Sequence, residues 1–334
     1  MQILVTGGTG SVGQETVRQL VQHGHQVRVI GRRSDQQIPG AEYRTCDVTD
    51  FSSLREQVHD IEAVIHLAAI PHPGMGSGTE IFRTNCAGTF NVYQASAEAG
   101  IKRVVTASSI NAFGFNFGIK DFAVQYLPVD EEHLTCTTDP YSFSKQVTED
   151  IAAYYWRREG ISGVCLRLPA VIDAASGWAA WRVGVRQETE ALFRLLRQED
   201  KTAGLKRLQD VFSLLQKSRE QRINESQYFR GMPRTADTLI MIGYTNFWTG
   251  LDTRDTAQAL EKGVLADYEG SNPLFVNDSE NIVGIPSLKL ATTFFPQILQ
   301  YKTALEGYRA LVSIERARQL IGFEPEYHLA KIGS

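Results

Sequence analysis

The feature that most constrains the fold is a glycine-rich loop near the start of the chain. It has the sequence TGGTGSVG at positions 6–13, follows the apolar run 2–6 directly, and opens a segment with helical spacing. In such a strand–loop–helix unit, Gly7 permits a tight turn, Gly10 lets the backbone approach a pyrophosphate, and Gly13 lets the helix pack on the sheet. The first N–H groups of the helix would face the phosphates. The loop therefore predicts dinucleotide binding rather than a purely structural turn, with contacts from Gly7, Gly10, Ser11, Val12 and Gly13.

Strand-like and helical segments alternate through the first half of the chain. β-Branched runs recur at 2–6, 26–30, 62–67, 102–107 and 162–168. The helical segments between them end at Gly24, Gly100 and Gly160, where glycine adopts a left-handed cap most easily. This alternation is typical of βαβ units. We therefore expect an α/β fold, a doubly wound Rossmann-type parallel sheet with a smaller, mostly helical C-terminal substrate domain.

The length of 334 residues corresponds to about two domains. We predict that 1–172 and about 248–278 form the dinucleotide-binding domain, and that about 173–247 and 279–334 form a cap domain that binds substrate. Segment 182–230 is polar with leucines at helical spacing, which predicts one or two amphipathic helices. Its basic side chains would either meet an anionic substrate or form a solvated or subunit-contacting surface, and the composition favours the second alternative.

Charge and cysteine usage exclude several classes of protein. The chain has 34 Lys and Arg residues against 38 Asp and Glu, so it lacks the positive field of a nucleic-acid-binding protein. No apolar run is long enough to span a bilayer, and no charged leader precedes the first strand. The four cysteines form no Cys-x-x-Cys pair, which indicates reduced thiols rather than disulfides or a zinc site. We expect a cytoplasmic protein with a small-molecule substrate, no metal, and no membrane or nucleic-acid partner.

The end of the second predicted strand bears on the choice of dinucleotide. An acidic residue there would bind the ribose 2′-hydroxyl of NAD, whereas an arginine would hold the 2′-phosphate of NADP. The strand ends at Gly31 and is followed by Arg32 and Arg33. Because guanidinium groups match phosphate geometry, we expect NADP(H), bound by Arg32 and Arg33. The alternative is NAD, with the hydroxyl bound elsewhere, for example by Asp35.

Five further motifs follow the glycine loop along the chain. They are Asp47-Val48, His66-Leu67-Ala68-Ala69, Asn85-Cys86-Ala87-Gly88-Thr89, Ser108-Ser109 and Tyr141-Ser142-Phe143-Ser144-Lys145. In this order they resemble the extended short-chain dehydrogenase/reductase family, which includes nucleotide-sugar epimerases and dehydratases. The resemblance runs over most of the chain and implies a homodimer.

The resemblance also implies roles for individual residues. Ser109, Tyr141 and Lys145 match the catalytic residues of the family, and Tyr141 and Lys145 would contact the cofactor as well. Further cofactor contacts are expected at the adenine site, in the cofactor wall and beside the nicotinamide, from Asp47, Val48, Leu67, Ala68, Ala69, Asn85 and Pro169. For His66 and Cys86 we expect buried packing.

The chemistry of the Tyr141 and Lys145 pair supports the catalytic role. The two residues lie four apart on a helix predicted to begin at Asp139-Pro140, so they project from one face. A free phenol with a pKa near ~10 is a poor base at neutral pH. A neighbouring ammonium and an oxidised nicotinamide would both lower that pKa. Tyr141 would then exchange the proton of a substrate hydroxyl, and Ser109 would orient the reacting oxygen.

The chain departs from the family pattern in the segment after Ser109. Where many relatives have Tyr-Gly, this chain has Phe113-Gly114, and Ile110-Asn111 replace the Asp-Glu pair of the dehydratases. Dehydration is therefore disfavoured. The aromatic loop 110–138 would line the substrate pocket, form a lid, or pack against the second domain. Further candidates for substrate contact, each with a structural alternative, are Trp178, Trp181, Arg182, Arg186, Arg230 and Tyr244.

Three functions fit these residues. The leading hypothesis is an NAD(P)-dependent oxidoreductase that transfers hydride between the nicotinamide and a secondary alcohol or carbonyl of a sugar or sugar-like substrate, with Tyr141 as acid and base. The second is a nucleotide-sugar epimerase, which uses the same residues but keeps its cofactor bound. The third is a non-catalytic dinucleotide sensor, since fold alone does not determine function.

Overall fold

A seven-stranded parallel sheet forms the centre of the computed structural model, which describes residues 1–173, 177–222, 228, 231–233 and 235–331. The strands of the protein are β1 (Gln2–Thr6), β2 (Gln26–Gly31), β3 (Glu42–Thr45), β4 (Ala63–His66), β5 (Val104–Ala107), β6 (Gly163–Arg167), β7 (Ala170–Ile172), β8 (Gly250–Asp252) and β9 (Ser271–Phe275). The main sheet has the order β3-β2-β1-β4-β5-β6-β9, and β7 pairs with β8 in a second sheet. The strand order reverses between β1 and β4, which is where open α/β sheets bind their ligands.

The described residues form helices on both faces of the main sheet and in a second group beyond it. They are α1 (Ser11–Gln22), α2 (Phe51–Gln57), α3 (Gly78–Phe82), α4 (Gly88–Glu98), α5 (Pro140–Glu159), α6 (Gly177–Leu195), α7 (Thr202–Glu220), α8 (Ala236–Thr245), α9 (Thr253–Leu265), α10 (Ser287–Phe294) and α11 (Glu315–Ile321). Apolar residues of α1, α9 and α11 pack on one face of the sheet, and those of α2, α4 and α5 pack on the other. Consecutive strand residues such as Ile3, Leu4 and Val5 are therefore all buried, which explains the unbroken apolar runs in the sequence. The predicted α/β class and doubly wound parallel sheet are confirmed.

Three helices end at the predicted glycines, and aspartates cap the starts of two helices. Gly24, Gly100 and Gly160 all adopt positive φ where their helices end. Asp50 accepts a hydrogen bond from the Ser53 amide at the start of α2, and Asp139 accepts one from the Ser142 amide at the start of α5. The second of these caps fixes where the helix that carries Tyr141 and Lys145 begins.

A second hydrophobic cluster lies among the helices after residue 177. It joins α6, α7, α8 and α10 to the aromatic residues of loop 110–138. The predicted amphipathic segment 182–230 contains α7 and most of α6, which begins five residues before the segment, at Gly177. The predicted cap segment 279–334 is divided between two clusters, because α11 packs with the main sheet whereas Leu311 and Leu329 pack in the second cluster. The division into two domains stays a prediction.

Within the described ranges, no helix has both the length and the apolar character needed to cross a membrane. All four cysteines are free thiols, of which Cys46, Cys86 and Cys165 are buried and Cys136 is exposed.

Candidate functional site

The glycine loop sits between β1 and α1, and its glycines meet different constraints. Gly7 has φ +71°, and a Cβ there would lie 2.8 Å from the Ala68 backbone nitrogen. A Cβ at Gly13 would lie 2.5 Å from the Gly7 carbonyl oxygen. At Gly10 the nearest atom would be 3.5 Å away, an ordinary contact. The protein itself therefore requires glycine at positions 7 and 13, whereas the space above Gly10 is what a closely approaching ligand needs.

Gly8 also has a packing role, which the sequence analysis missed. A Cβ at this position would lie 2.6 Å from Val29 Cγ1 on β2. The sequence signal was present in the doubled glycine of Gly7-Gly8, but the glycine spacing of a dinucleotide-binding loop accounts only for every third residue. The loop therefore rests against β2 as well as against β4.

The N-terminus of α1 is arranged to receive an anion. In the described part of the chain no side chain caps the helix at Gly10, and the first turn of the helix contains no acidic residue. Within the described residues, the backbone N–H groups of Ser11, Val12 and Gly13, at the positive end of the helix dipole, thus have no carboxylate of the helix's own first turn beside them. An uncapped N-terminus beside the clearance at Gly10 fits a pyrophosphate group.

Arg32 and Arg33 follow β2 and are exposed. The Tyr43 hydroxyl donates to the Arg33 carbonyl oxygen at 2.5 Å and so fixes the backbone there. Among the described residues, no hydrogen bond or ion pair engages either guanidinium group. Asp35, the alternative partner for a ribose hydroxyl, is exposed and has φ +56°. Two unpaired cations therefore stand directly after β2, with the carboxylate farther along the turn.

The predicted adenine residues follow β3. Asp47 Oδ1 accepts hydrogen bonds from the Thr49 amide at 2.9 Å and from the Thr49 hydroxyl at 2.8 Å. Val48 is buried, and its carbonyl oxygen accepts a hydrogen bond from Asn91 Nδ2 at 3.0 Å. The turn is thus held by its own polar atoms, and it places both residues at the same sheet edge as the glycine loop.

A chain of hydrogen bonds connects the glycine loop with the predicted cofactor wall. The amides of Leu67 and Ala68 donate to Thr6 Oγ1 at 3.2 and 3.1 Å, and this hydroxyl lies 2.7 Å from His66 Nδ1. Because both lone pairs of Thr6 Oγ1 are occupied, the hydroxyl donates to Nδ1. His66 Nε2 then carries the proton and donates to Thr89 Oγ1 at 3.0 Å.

His66 is therefore more than the buried packing residue expected from the sequence. Burial and the nearby Lys145 charge lower the pKa of His66 to about 3, so the ring is neutral at physiological pH. The Thr89 hydroxyl continues the chain by donating to the Asn85 carbonyl oxygen at 2.5 Å. The sequence could not reveal this network, because its members come from four separate elements.

Asn85 joins the cofactor wall to the helix of Tyr141 and Lys145. It lies in a π-helical turn, Arg83–Ala87. Its Oδ1 accepts from the Ile70 amide at 2.8 Å, and its Nδ2 donates to Ser144 Oγ at 2.9 Å. Ser144 Oγ in turn donates to the Tyr141 carbonyl oxygen at 2.7 Å. The side chain thus ties the segment after β4 to the first turn of α5.

Ser109, Tyr141 and Lys145 meet at the carboxyl end of β5. All three are about 5% exposed. The Lys145 Nζ donates to the Ala107 carbonyl oxygen at 2.7 Å. A small cavity beside Lys145 has walls that include four other predicted residues, Leu67, Ala68, Ala69 and Asn85. Pro169 is buried in the segment after β6, where the neighbouring Leu168 carbonyl oxygen accepts from the Ile110 amide at 2.9 Å.

Burial dominates the protonation of this group. It raises the pKa of Tyr141 to about 12, although the Ser109 side chain acts in the opposite direction. It also lowers the pKa of Lys145 to about 8. The predicted lowering of the phenol pKa by Lys145 was wrong for the protein alone, because the ammonium is held by a strand carbonyl and desolvation outweighs the neighbouring charges. Both side chains are shifted towards their neutral forms.

A buried ion pair behind the site was also missed by the sequence analysis. Arg167 donates to both oxygens of Glu149, from Nε at 2.9 Å and from Nη2 at 2.8 Å. The Ser108 hydroxyl donates to Glu149 Oε1 at 2.6 Å. Glu149 lies four residues after Lys145 on α5, so this network ties the helix to β6 and to the residue next to Ser109. The available signal was the Lys145/Glu149 helical spacing, but the partner on β6 lies eighteen residues away.

Several aromatic residues of loop 110–138 pack in the second cluster, whereas Phe117 lies against Tyr141. The Phe113 and Phe122 ring centroids lie 4.8 Å apart, and those of Phe115 and Phe247 lie 5.1 Å apart. These contacts agree with the alternative in which the loop packs against the second domain. The Phe117 ring lies 5.8 Å from the Tyr141 ring, edge to face. Arg222 Nη1, beyond the end of α7, donates to the Phe117 carbonyl oxygen at 2.5 Å.

The remaining substrate candidates show structural contacts. Arg182 Nη1 donates to the Leu329 carbonyl oxygen at 2.6 Å, and Arg186 Nη1 donates to the Ala330 carbonyl oxygen at 3.2 Å. Tyr244 packs in the aromatic part of the second cluster, and Trp181 is packed against the same cluster. Arg230 and the side chain of Trp178 lie outside the described residues.

The glycine loop, the uncapped α1 N-terminus and the Ser109, Tyr141 and Lys145 group together define a dinucleotide-binding protein of the short-chain dehydrogenase/reductase class. Residues 3–175 match the sequence profile of the NAD dependent epimerase/dehydratase family. The chain belongs to this enzyme family, and its cofactor class is NAD(P).

Two curated relatives are sugar dehydrogenases. The chain is 32% identical over 205 residues to the L-arabinose 1-dehydrogenase (NAD(P)(+)) of Haloferax volcanii, and the aligned part covers 59% of this chain and 75% of that protein. It is 28% identical over 169 residues to the uronate dehydrogenase of Pseudomonas putida, with coverage of 50% and 60%. The aligned part thus spans less than two thirds of the uronate dehydrogenase.

A solved structure extends the likeness over nearly the whole chain. The UDP-glucose 4-epimerase of Thermotoga maritima superposes with a TM-score of 0.64 at 18% identity, covering 99% of this chain and 96% of that one. At this level of identity the likeness shows the fold alone.

Proposed function

We propose that this protein is an NAD(P)-dependent oxidoreductase that acts on a secondary alcohol or carbonyl of a sugar or sugar-like substrate. The observation that carries the proposal is the burial of Ser109, Tyr141 and Lys145 at the carboxyl end of β5. Lys145 lines a cavity with Leu67 and Ala68, which also lie against Gly7 of the glycine loop. The two dehydrogenase relatives act, by their names, on L-arabinose and on uronates, which supports a sugar substrate.

Different residues of the chain would bind different parts of the dinucleotide. Gly10, Ser11 and Val12 would hold the pyrophosphate at the α1 N-terminus, and Asp47 and Val48 would contact the adenine. Lys145 would hold the nicotinamide ribose within the wall formed by Leu67, Ala68, Ala69, Asn85 and Pro169. When bound, the nicotinamide supplies or accepts the hydride that the substrate carbon exchanges.

Tyr141 is proposed to exchange the proton of the reacting oxygen. With its pKa raised to about 12, the phenol is protonated at neutral pH and serves directly as the acid for carbonyl reduction. For alcohol oxidation it must first lose its proton, which the Lys145 ammonium and a positively charged nicotinamide would favour. We therefore expect the rate of oxidation to rise with pH through the neutral range.

The choice between NADP and NAD follows from the residues after β2. Arg32 and Arg33 are exposed, and no partner among the described residues holds their guanidinium groups. A 2′-phosphate would supply that partner, so we propose a preference for NADP.

Replacement of the proposed acid and base tests the function. In a screen of aldoses, uronates and sugar nucleotides with both cofactors, followed by the absorbance of the reduced nicotinamide, Tyr141→Phe should lower kcat by about 10²- to 10⁴-fold. Cofactor affinity should stay within about threefold of the wild type, because the hydroxyl is lost but the packing remains. Tyr308→Phe, at an exposed tyrosine outside this group and outside the proposed subunit contact, is the control.

Two outcomes would contradict the proposal. Full activity of Tyr141→Phe would remove Tyr141 as the acid and base. Turnover of a nucleotide sugar with tightly bound cofactor and no net change in nicotinamide absorbance would instead establish the epimerase alternative.

We also propose a homodimer and a cytoplasmic location. Two stacked aromatic pairs, Phe82 with Phe143 and Phe90 with Tyr154, are exposed on α3, α4 and α5. Exposed aromatic clusters of this kind favour a subunit contact. The four unpaired cysteines favour a reducing compartment.

A further inference from the structure

The turn after β5 gives Ser109 a fixed hydrogen-bond direction. Ser109 Oγ lies 3.1 Å from the Asn111 backbone nitrogen and 3.1 Å from Asn111 Nδ2. Both nitrogens are donors, and a serine hydroxyl has two lone pairs and one proton. Because Asn111 occupies both lone pairs, the Ser109 hydroxyl is left to act as a donor. It therefore suits a carbonyl or phenol oxygen, and the Tyr141 phenol is its neighbour on α5.

The oxygen of the Asn111 side-chain amide, Oδ1, is an acceptor that receives no hydrogen bond from the described residues. Asn111 is only 7% exposed, and no hydrogen-bond partner within the described chain reaches its Oδ1. Asn111 is the single polar residue of its turn, Ile110–Phe113, and the other three are buried and apolar. A buried carbonyl oxygen of this kind is costly to leave unpaired. Since Oδ1 and Nδ2 share one carbon, this oxygen lies next to the hydroxyl that orients the reacting group.

We propose that Asn111 selects substrates that have a hydroxyl group on the carbon next to the reacting carbon. In this arrangement, which rests on the proposed function, Ser109 donates to the reacting oxygen and Asn111 Oδ1 accepts from the neighbouring hydroxyl. The substrate class is then an α-hydroxy carbonyl and its vicinal diol, as in an aldose. A steroid-like or other apolar ketone would bury Oδ1 without a donor and would be rejected.

The test compares paired sugars on the full-length enzyme. The pairs are L-arabinose with 2-deoxy-L-erythro-pentose, and D-glucose 6-phosphate with its 2-deoxy analogue, each with saturating cofactor. For Asn111→Ala we expect kcat/KM to fall about 10- to 100-fold with the hydroxylated sugar and less than about threefold with the deoxy sugar. The variant should melt at or above the wild-type temperature, because it removes a buried unpaired oxygen. A residue needed only for folding would lower activity equally with both sugars and would lower the melting temperature.

Asn111→Asp tests the orienting half of the proposal. The carboxylate keeps an acceptor for the neighbouring hydroxyl, but its second oxygen replaces the Nδ2 donor with an acceptor that would draw the Ser109 proton away from the substrate. Asn111→Ala introduces no such acceptor, so it leaves the Ser109 proton available to the reacting oxygen. We expect kcat to fall about 10- to 100-fold with both members of each pair. The matched control is Asn116→Ala in the same loop. The Asn116 Oδ1 accepts from the Thr245 hydroxyl and its Nδ2 donates to Asn246, so this variant should not distinguish the two sugars.

The outcomes separate the two proposals. Equal losses for both sugars in Asn111→Ala, or an unaltered kcat in Asn111→Asp, would overturn the role of Asn111 while the oxidoreductase function stands. No turnover and no calorimetric binding of any of the four sugars, together with no turnover in the screen of aldoses, uronates and sugar nucleotides, would overturn the proposed function and this inference with it.

Discussion

Removing the two cations after β2 should convert the cofactor preference. Each guanidinium that binds a phosphate contributes about 1.5–3 kcal/mol in a buried setting, but exposed pairs are worth about 1 kcal/mol or less. Arg32 and Arg33 are both exposed, and neither must break an existing contact with a described residue. For Arg32→Asp/Arg33→Ala we therefore expect the binding free energy of NADP to weaken by about 2–3 kcal/mol, which includes the repulsion between its 2′-phosphate and the new carboxylate. This corresponds to roughly a 30- to 150-fold increase in Kd.

The affinity for NAD serves as the internal reference. The ribose 2′-hydroxyl of NAD is uncharged and can donate a hydrogen bond to the carboxylate that Arg32→Asp introduces, so the Kd for NAD should stay unchanged or decrease up to about tenfold. Fluorescence titration of both reduced cofactors measures these constants. Arg44→Ala is the matched control, since Arg44 is partly exposed on the neighbouring strand and already paired with Glu42 at 2.6 Å.

Salt dependence provides a second measurement on the same proteins. NADP binding to the wild type should weaken as ionic strength rises, and this dependence should be shallower in the double variant. An unchanged Kd for NADP in the double variant would refute the reasoning. So would a parallel loss for both cofactors, because that result would place the arginines in the folding of the turn rather than at the phosphate.

Two further predictions concern stability and assembly. The pKa of His66 is lowered to about 3, so the contribution of the neutral ring to stability is present above the ordinary histidine pKa of ~6.5 and is lost as pH falls. Between about pH 7 and pH 5 the free energy of unfolding in urea should therefore fall by about 2 kcal/mol more for the wild type than for His66→Gln. A stability difference between the two proteins that does not change with pH would contradict this. Light scattering should give twice the chain mass for the wild type and the single chain mass for Phe90→Glu, whereas a monomeric wild type would contradict the proposed dimer.

The parts of the fold that follow local rules could be predicted from the sequence. The strands buried on both faces appear as unbroken apolar runs, and Gly24, Gly100 and Gly160 mark helix ends because each requires positive φ. Gly7 and Gly13 likewise reflect clashes with atoms in the segment after β4 or within the loop itself. Such constraints act at single positions, so the residue type reveals them.

The parts of the site that depend on long-range partners could not be predicted. Glu149 occupies a helical position that suits an exposed carboxylate, and only the fold places Arg167 beside it. His66 could be assigned to burial, but the direction of its hydrogen bonds depends on Thr6 and Thr89 from two other elements. Its lowered pKa depends on burial and on the Lys145 charge. A sequence gives the residue types in these networks, whereas their protonation and hydrogen-bond direction arise from packing.

Tyr141 shows why this difference matters for mechanism. Helical spacing correctly suggests that Lys145 lies on the same face, and from this alone one expects a lowered phenol pKa. Burial has the opposite effect on each residue, raising the pKa of Tyr141 to about 12 and lowering that of Lys145 to about 8. The protein alone therefore holds a neutral phenol, which is prepared to donate a proton rather than to accept one. Lys145 is still mostly charged at neutral pH, and the oxidised nicotinamide would add a second positive charge near the phenol. We therefore propose that Tyr141 becomes an effective base for oxidation only in the complex with the oxidised cofactor, which is also the complex in which hydride can leave.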